Sequence, residues 1–191
     1  MLTKTKPKTA NSNKQESYVA FLRGINNIGS KTIKMGELKR IFESSGMNNV
    51  KTIMASGNVI FTTTKAEQFS LAESIERNLE NKLGYKVYVV LRTLTEIEEL
   101  VNSKPFKQII ITPQTKLYLT FLSEKPNSKI KAPFESHEKD FKILRVTDKE
   151  IQSVVTLLPN KRPGAIMSFL EKEFGKKITT RNWNTVVKCL K

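Results

Sequence analysis

The chain has 191 residues, an apolar fraction of 38% and a formal net charge of +15 at a pI near 9.9. That is enough apolar material for a core without staples, while a lone cysteine, Cys189, and a lone histidine, His137, exclude an internal disulfide and argue against a zinc site. No apolar stretch approaches the roughly 20 residues that span a bilayer, and the first residues lack the apolar core of a signal peptide, so a cytoplasmic protein with no membrane partner is expected.

The charge favours anionic partners, nucleic acid or another polyanion, because summed positive potential attracts phosphate whatever the fold. Lysine far outnumbers arginine, however, and planar bidentate recognition of phosphate favours arginine, so a solvated lysine-rich surface is the plain alternative.

Met1 to Glu16 carries Lys4, Lys6, Lys8 and Lys14 among polar residues and has little to bury; a disordered basic arm is expected over residues 1–16. Tyr18 to Leu22 is apolar on both alternate faces, as in a central strand covered on two sides, and ends in Arg23-Gly24-Ile25-Asn26. A polar loop from Asn26 to Thr32 precedes a helix from about Lys34 to Ser45, with Gly46 at its C-terminal cap. Val50 to Ala55 and Asn58 to Thr63 read as strands joined tightly into a hairpin at Ser56-Gly57. Ser70 to Glu73 has the form of a capping box opening a helix that Gly84 ends, and Tyr85 to Arg92 is a strand. The order β-α-β-β-α-β is the split motif of a ferredoxin-like sandwich over residues 17–92.

Residues 93–191 read as a second, related α+β unit. A capping box at Thr95 to Glu98 opens a helix that closes before Pro105. Lys116 to Leu122 is a strand, and a Pro-, Lys- and Ser-rich stretch to Asp140 reads mostly as loop, with room for a helical turn near Glu135. Phe141 to Val146 and Ile151 to Leu158 form a hairpin around Thr147 to Glu150, their β-branched flanks outweighing a helix start there. A basic turn at Asn160 to Gly164, a helix from Ala165 to Phe174 and a last helix from about Asn182 complete the chain. No repeat by period is visible. The expected architecture is α+β: two subdomains, with the second packed on the first, since apolar runs on both faces of a strand need cover on both sides.

In such a sandwich the turn after the first strand and the hairpin between the second and third lie at one end of the sheet. The first helix starts from that end. Arg23, Asn26 and Asn27 thereby approach Ser56, Gly57 and Asn58, and Lys31, Lys34 and the helix N-terminus add positive potential. Arg23, Asn26, Lys31, Ser56 and Asn58, with Arg181 and Asn182 from the start of the last helix, are the candidate anion-binding residues. The alternative keeps them structural: turn glycines, loop asparagines, Arg23 paired with a carboxylate such as Glu37, and Arg181 with Asn182 pinning the last helix to the first sheet. The rival class is a small-molecule enzyme in which Ser56 or the Asn and Arg cluster holds an oxyanion; it needs a general base, and the sequence names none, so that Glu37 or Glu43 within hydrogen-bond reach of Ser56 would be required to support it. No Ser-His-Asp set, phosphate-binding glycine loop or metal cluster is spelled out, and no cofactor or catalytic residue is assigned.

Three segments, FLRGINNIG at Phe21 to Gly29, ASGNVIF at Ala55 to Phe61 and TTRNWNTVVK at Thr179 to Lys188, together resemble a bacterial family catalogued as domain of unknown function 1697. The resemblance runs from about Ser17 to the C-terminus and implies a two-part α+β fold with ferredoxin-like subdomains, but no established activity. Its polar positions match at Arg23, Gly24, Asn26, Ser56, Gly57, Asn58, Arg181, Asn182 and Trp183. The chain departs in the first loop, where a glycine pair is common and Asn27 and Ile28 stand here before Gly29.

Overall fold

The apolar run Tyr18 to Leu22 becomes the middle of strand β1 (Gln15–Arg23), and its two faces go to two different cores. Tyr18, Ala20 and Leu22 face a layer formed by helices α1 (Met35–Ser44) and α2 (Gln68–Leu83), while Val19 and Phe21 face the second half of the chain. This double covering explains why the strand has no polar alternation. The computed structural model describes residues 14–25, 33–54, 57–158 and 165–191.

Strands β2 (Asn48–Ile53), β3 (Asn58–Thr64) and β4 (Tyr88–Thr93) join β1 in an antiparallel sheet of order β2-β3-β1-β4, the ferredoxin-like arrangement. Leu38, Ile41 and Phe42 of α1 and Ile75 and Leu79 of α2 fill the outer core. Helix α2 starts earlier than expected, because the Glu67 side chain accepts from the amides of Phe69 and Ser70 at 2.9 and 2.7 Å; Ser70 and Glu73 lie inside the helix. Gly84 ends it at φ 78, a left-handed conformation. The expected basic arm needs a similar correction: Gln15 and Glu16 pair with Thr64 and Thr63 as part of β1, and residues 1–13 lie outside the described residues.

Helix α3 (Leu94–Asn102) follows β4 directly. Its capping box is Thr93 with Glu96, not Thr95 with Glu98: the Thr93 side chain accepts from the Glu96 amide at 3.1 Å and Glu96 accepts from the Thr93 amide at 2.8 Å. The second sheet, of order β6-β7-β8-β5-β9, holds β5 (Thr115–Leu122), β6 (Phe134–Glu135), β7 (Phe141–Val146), β8 (Glu150–Thr156) and β9 (Ile178–Asn182). The hairpin at Thr147 to Glu150 forms as expected, closed by Thr147 N–H donating to Glu150 O at 2.9 Å. Two elements differ from expectation. Glu135 sits in the short strand β6 rather than a helical turn, and Ile178 to Asn182 is an edge strand that helix α5 (Trp183–Lys188) follows at once. The expected turn at Asn160 to Gly164 lies outside the described residues.

The two halves share one plan. Setting β6 aside, β7-β8-β5-β9 repeats the order β2-β3-β1-β4, helix α4 (Ala165–Phe174) stands where α2 stands, and α5 follows β9 as α3 follows β4. Backbone bonds match too: Leu22 N–H donates to Gly57 O at 2.8 Å, and Leu122 N–H to Lys149 O at 2.9 Å. The repeat escapes a search by period because a loop carrying β6 replaces the first helix, removing one amphipathic pattern. The first-strand segments YVAFLR (18–23) and YLTFLS (118–123) keep the trace.

The inner faces of the two sheets meet through Phe21 and Phe121, stacked with ring centroids 4.1 Å apart and planes within 10°, both fully buried. Val19, Val90, Ile97, Leu119 and Val186 surround them. Such offset stacking adds to the area buried by two aromatic rings. Phe121→Ala is expected to cost about 3–5 kcal/mol, the range for emptying a buried aromatic site. A urea titration followed by circular dichroism checks it, with one cooperative transition shifted to lower denaturant.

Candidate functional site

The end of the first sheet presents backbone carbonyls to the second half. Gly57 sits at φ +71 between β2 and β3, and a Cβ there would lie 2.6 Å from the Ile25 side chain, so only glycine lets the hairpin close against the turn after β1. The carbonyls of Leu22 and Gly57 at this end then need donors.

Arg181, from β9, supplies them. Its Nη2 donates to Leu22 O and, at 3.3 Å, to Gly57 O; Nη1 donates to Thr179 Oγ1 at 2.7 Å and Thr180 O at 2.9 Å; Nε donates to Asn58 Oδ1. Asn58 is fully buried and passes the connection on, its Nδ2 donating to Ile53 O at 3.0 Å. The Arg181 guanidinium also lies 5.9 Å from the Phe21 ring centroid. Burial pushes its pKa down to about 10, so it stays charged at neutral pH.

Arg92, from β4, makes the reciprocal connection. Its Nη2 donates to Leu122 O at 2.8 Å and to Lys149 O, its Nη1 to Leu91 O at 2.6 Å, and its guanidinium lies 5.6 Å from the Phe121 ring. Each half thus sends one arginine into the carbonyls at the end of the other's first strand. The copies differ at one position. Asn58 opposes Phe21 and receives Arg181 Nε, whereas Glu150 opposes Phe121, and Arg92 Nε is buried without a hydrogen-bond partner. Burial lowers the Arg92 pKa, with the charges of Glu96 and Glu150 opposing the shift. Glu96 also binds Lys149 across the same boundary; burial favours its neutral form, but the bonds from Lys149, Thr93 and Gln68 outweigh that and hold its pKa below the usual range.

Arg23 does not join this network. Its Nη2 donates to Glu171 Oε1 of α4 at 2.6 Å and its Nη1 to Ile178 O at 3.2 Å, with the side chains of Arg23 and Glu171 28% and 39% exposed. The pair stands in a groove of about 450 Å³ whose lining includes Gly24, Thr179, Thr180 and Arg181. Arg23 and Arg181, two of the candidate residues, line the same groove. The carboxylate partner is Glu171 rather than Glu37.

Asn58 lies behind Arg181, locked at both ends of its amide. Asn182 goes elsewhere: its side chain accepts from the Asn184 amide at 3.0 Å, capping α5, and it lines a second groove beside Trp183. Asn26, Lys31 and Ser56 lie outside the described residues. Lys34 occupies the N-cap position of α1 without a capping side-chain bond. Sequence reasoning missed Glu171, Thr179, Thr180 and Arg92. The signal for Arg92 was present, in LRTL at 91–94 beside TRNW at 180–183, an arginine one residue before each helix cap. Glu171 had no such mark.

Cys189 is buried, and its Sγ faces Thr185 O at 3.4 Å. Burial pushes its pKa up to about 11, against the pull of Arg181, so it is a poor nucleophile at neutral pH. Among the described residues no group of three His, Cys, Asp or Glu side chains could hold a metal ion, and no helix is long and apolar enough to cross a membrane.

The sequence profile of DUF1697, described as a protein of unknown function, matches residues 16–152. A solved structure, a conserved bacterial protein from Streptococcus pneumoniae, is similar with a TM-score of 0.65 at 18% identity, over 92% of this chain and 97% of that one. At that identity the likeness concerns the fold alone. No curated protein matches the sequence.

Arg181→Ala is expected to lower stability by about 3 kcal/mol or more, because it strands buried carbonyls. Arg181→Lys should recover only part, since one ammonium cannot fork across the same acceptors. Urea midpoints check both. The Cys189 thiol loses its proton later in the folded chain, at about 11, than at its ordinary value of 9.0, so its contribution is full below pH 9 and is lost as pH rises through 11. Stability measured relative to Cys189→Ala should accordingly fall over that window and stay flat below it.

Proposed function

Because the chain belongs to the DUF1697 family of proteins of unknown function, which lends it no activity, we propose from its own geometry that it binds an anionic, phosphate-bearing ligand in the groove at the end of the first sheet. The ligand is a phosphorylated small molecule or a nucleic-acid phosphate, and the protein acts in the cytoplasm. The observation that carries this reading is the partly exposed Arg23–Glu171 pair lining the groove. A partly exposed ion pair contributes only about 0–1 kcal/mol, so exchanging Glu171 for a phosphate costs little. Arg23 then offers a planar fork to two phosphate oxygens, and the net charge of +15 raises the local concentration of anions.

Arg181 and Asn58 support a second, structural reading of the family's polar positions. Their polar groups are already engaged by Leu22, Gly57, Thr179, Thr180 and Ile53, so their task is to join the halves. The two readings divide the residues: Arg23 faces the ligand, and Arg181 holds the wall against which it sits.

Calorimetric titration with inorganic pyrophosphate tests the proposal. Arg23→Ala should weaken binding roughly tenfold or more, the loss of one charge-assisted fork, and Glu171→Gln should strengthen it by removing the competing carboxylate. Equal affinities in all three proteins, or no heat in any, would sink the proposal.

A further inference from the structure

We propose a second, separate ligand site: the groove beside Trp183 takes a stretch of single-stranded nucleic acid. The groove has a volume of about 540 Å³ and lies between the turns that follow α3, the start of β5 and the start of α5. Its lining combines the two things such a strand needs, an aromatic surface and cations. Trp183 is partly exposed, and the buried Phe106 packs edge-on against it, ring centroids 5.3 Å apart at 71°, which fixes the indole without burying it.

Lys104, Lys107 and Lys116 stand around the same groove, and none of them forms an ion pair with a carboxylate among the described residues. Backbone bonds hold the first two in place: Lys107 N–H donates to Lys104 O and Ile109 N–H to Phe106 O, each at 3.0 Å. Among the described residues no carboxylate lines this groove, in contrast to the Arg23 groove with its Glu171. A compact anion alone would leave the indole and the apolar wall of Val101 and Leu117 unused. A base stacked on the indole with its phosphates on the lysines uses both, and stacking is indifferent to which base is present. Asn184 adds a polar group at the edge. The inference does not rest on the Arg23 reading and involves a different set of side chains.

Trp183 is the sole tryptophan of the 191 residues, so its emission reports this groove directly in the unmodified chain. Titration with a short oligothymidylate should quench the emission saturably. Raising salt from about 50 to about 200 mM should weaken the interaction on the order of tenfold, given three lysines at a slope of about 0.7 per phosphate. Lys104→Ala with Lys107→Ala, at exposed positions that leave the fold intact, should reduce that slope by roughly 1.4, while Arg23→Ala should leave the quenching unchanged. Quenching by thymidine monophosphate as strong as by the oligonucleotide would overturn the polymer in favour of a free nucleotide. A response only to phosphatidylglycerol vesicles would assign the groove, with exposed Ile110 and Ile111 beside it, to a membrane surface and overturn the proposal. Oligonucleotide binding seen by anisotropy with unchanged Trp183 emission would overturn it as well.

Discussion

Two buried arginines crossing in opposite directions hold this molecule in its shape. Arg181 leaves the second half to meet the carbonyls of Leu22 and Gly57, and Arg92 leaves the first to meet those of Leu122 and Lys149. Between them lie the stacked rings of Phe21 and Phe121, each with a guanidinium beside it. A buried charge is costly unless hydrogen bonds replace its lost water, and strand ends are costly unless their carbonyls find donors. Each half resolves both difficulties for the other, so the arrangement requires both.

The same logic separates the arginines by task. Arg181 and Arg92 face acceptors supplied by the fold itself, so their positive charge is directed inward. Arg23 has one carboxylate and one carbonyl as partners, and its side chain and that of Glu171 are both partly exposed. Burial and partner count, rather than residue type, distinguish a structural arginine from one able to meet a ligand. The copies are not interchangeable either. Where Asn58 accepts from Arg181, Glu150 stands in the other half and bonds Thr147 instead, leaving Arg92 Nε unpartnered. The two ends of the interface differ in chemistry as a result.

Strand, helix and order were largely legible in the residues because each depends on local pattern. Tyr18 to Leu22 announced a doubly covered strand, Gly84 a helix end, and the β-branched flanks of Thr147 to Glu150 a hairpin. The misses are equally local in origin. Ser70 with Glu73 and Thr95 with Glu98 have the spacing of capping boxes, but Glu67 and Thr93 precede them and reach the free amides first. Strand β9 is a five-residue edge strand running straight into α5, too short for its alternation to stand out from the helix that follows.

What the sequence determined by itself was an α+β chain with a ferredoxin-like first half, a strongly basic character, and a meeting of the first turn with the hairpin before Asn58. All of these follow from periodicity, turn chemistry and the sign of charge, which neighbouring residues carry among themselves. Tertiary structure alone decided that Arg23 pairs with Glu171, distant in sequence, that Arg181 binds the fully buried Asn58 across the interface, and that Asn182 caps a helix beside a different groove. Partner choice across an interface depends on how two sheets rotate onto each other. That rotation is set by the packing of Phe21 on Phe121 and by the reach of two guanidinium groups, quantities that no local pattern encodes.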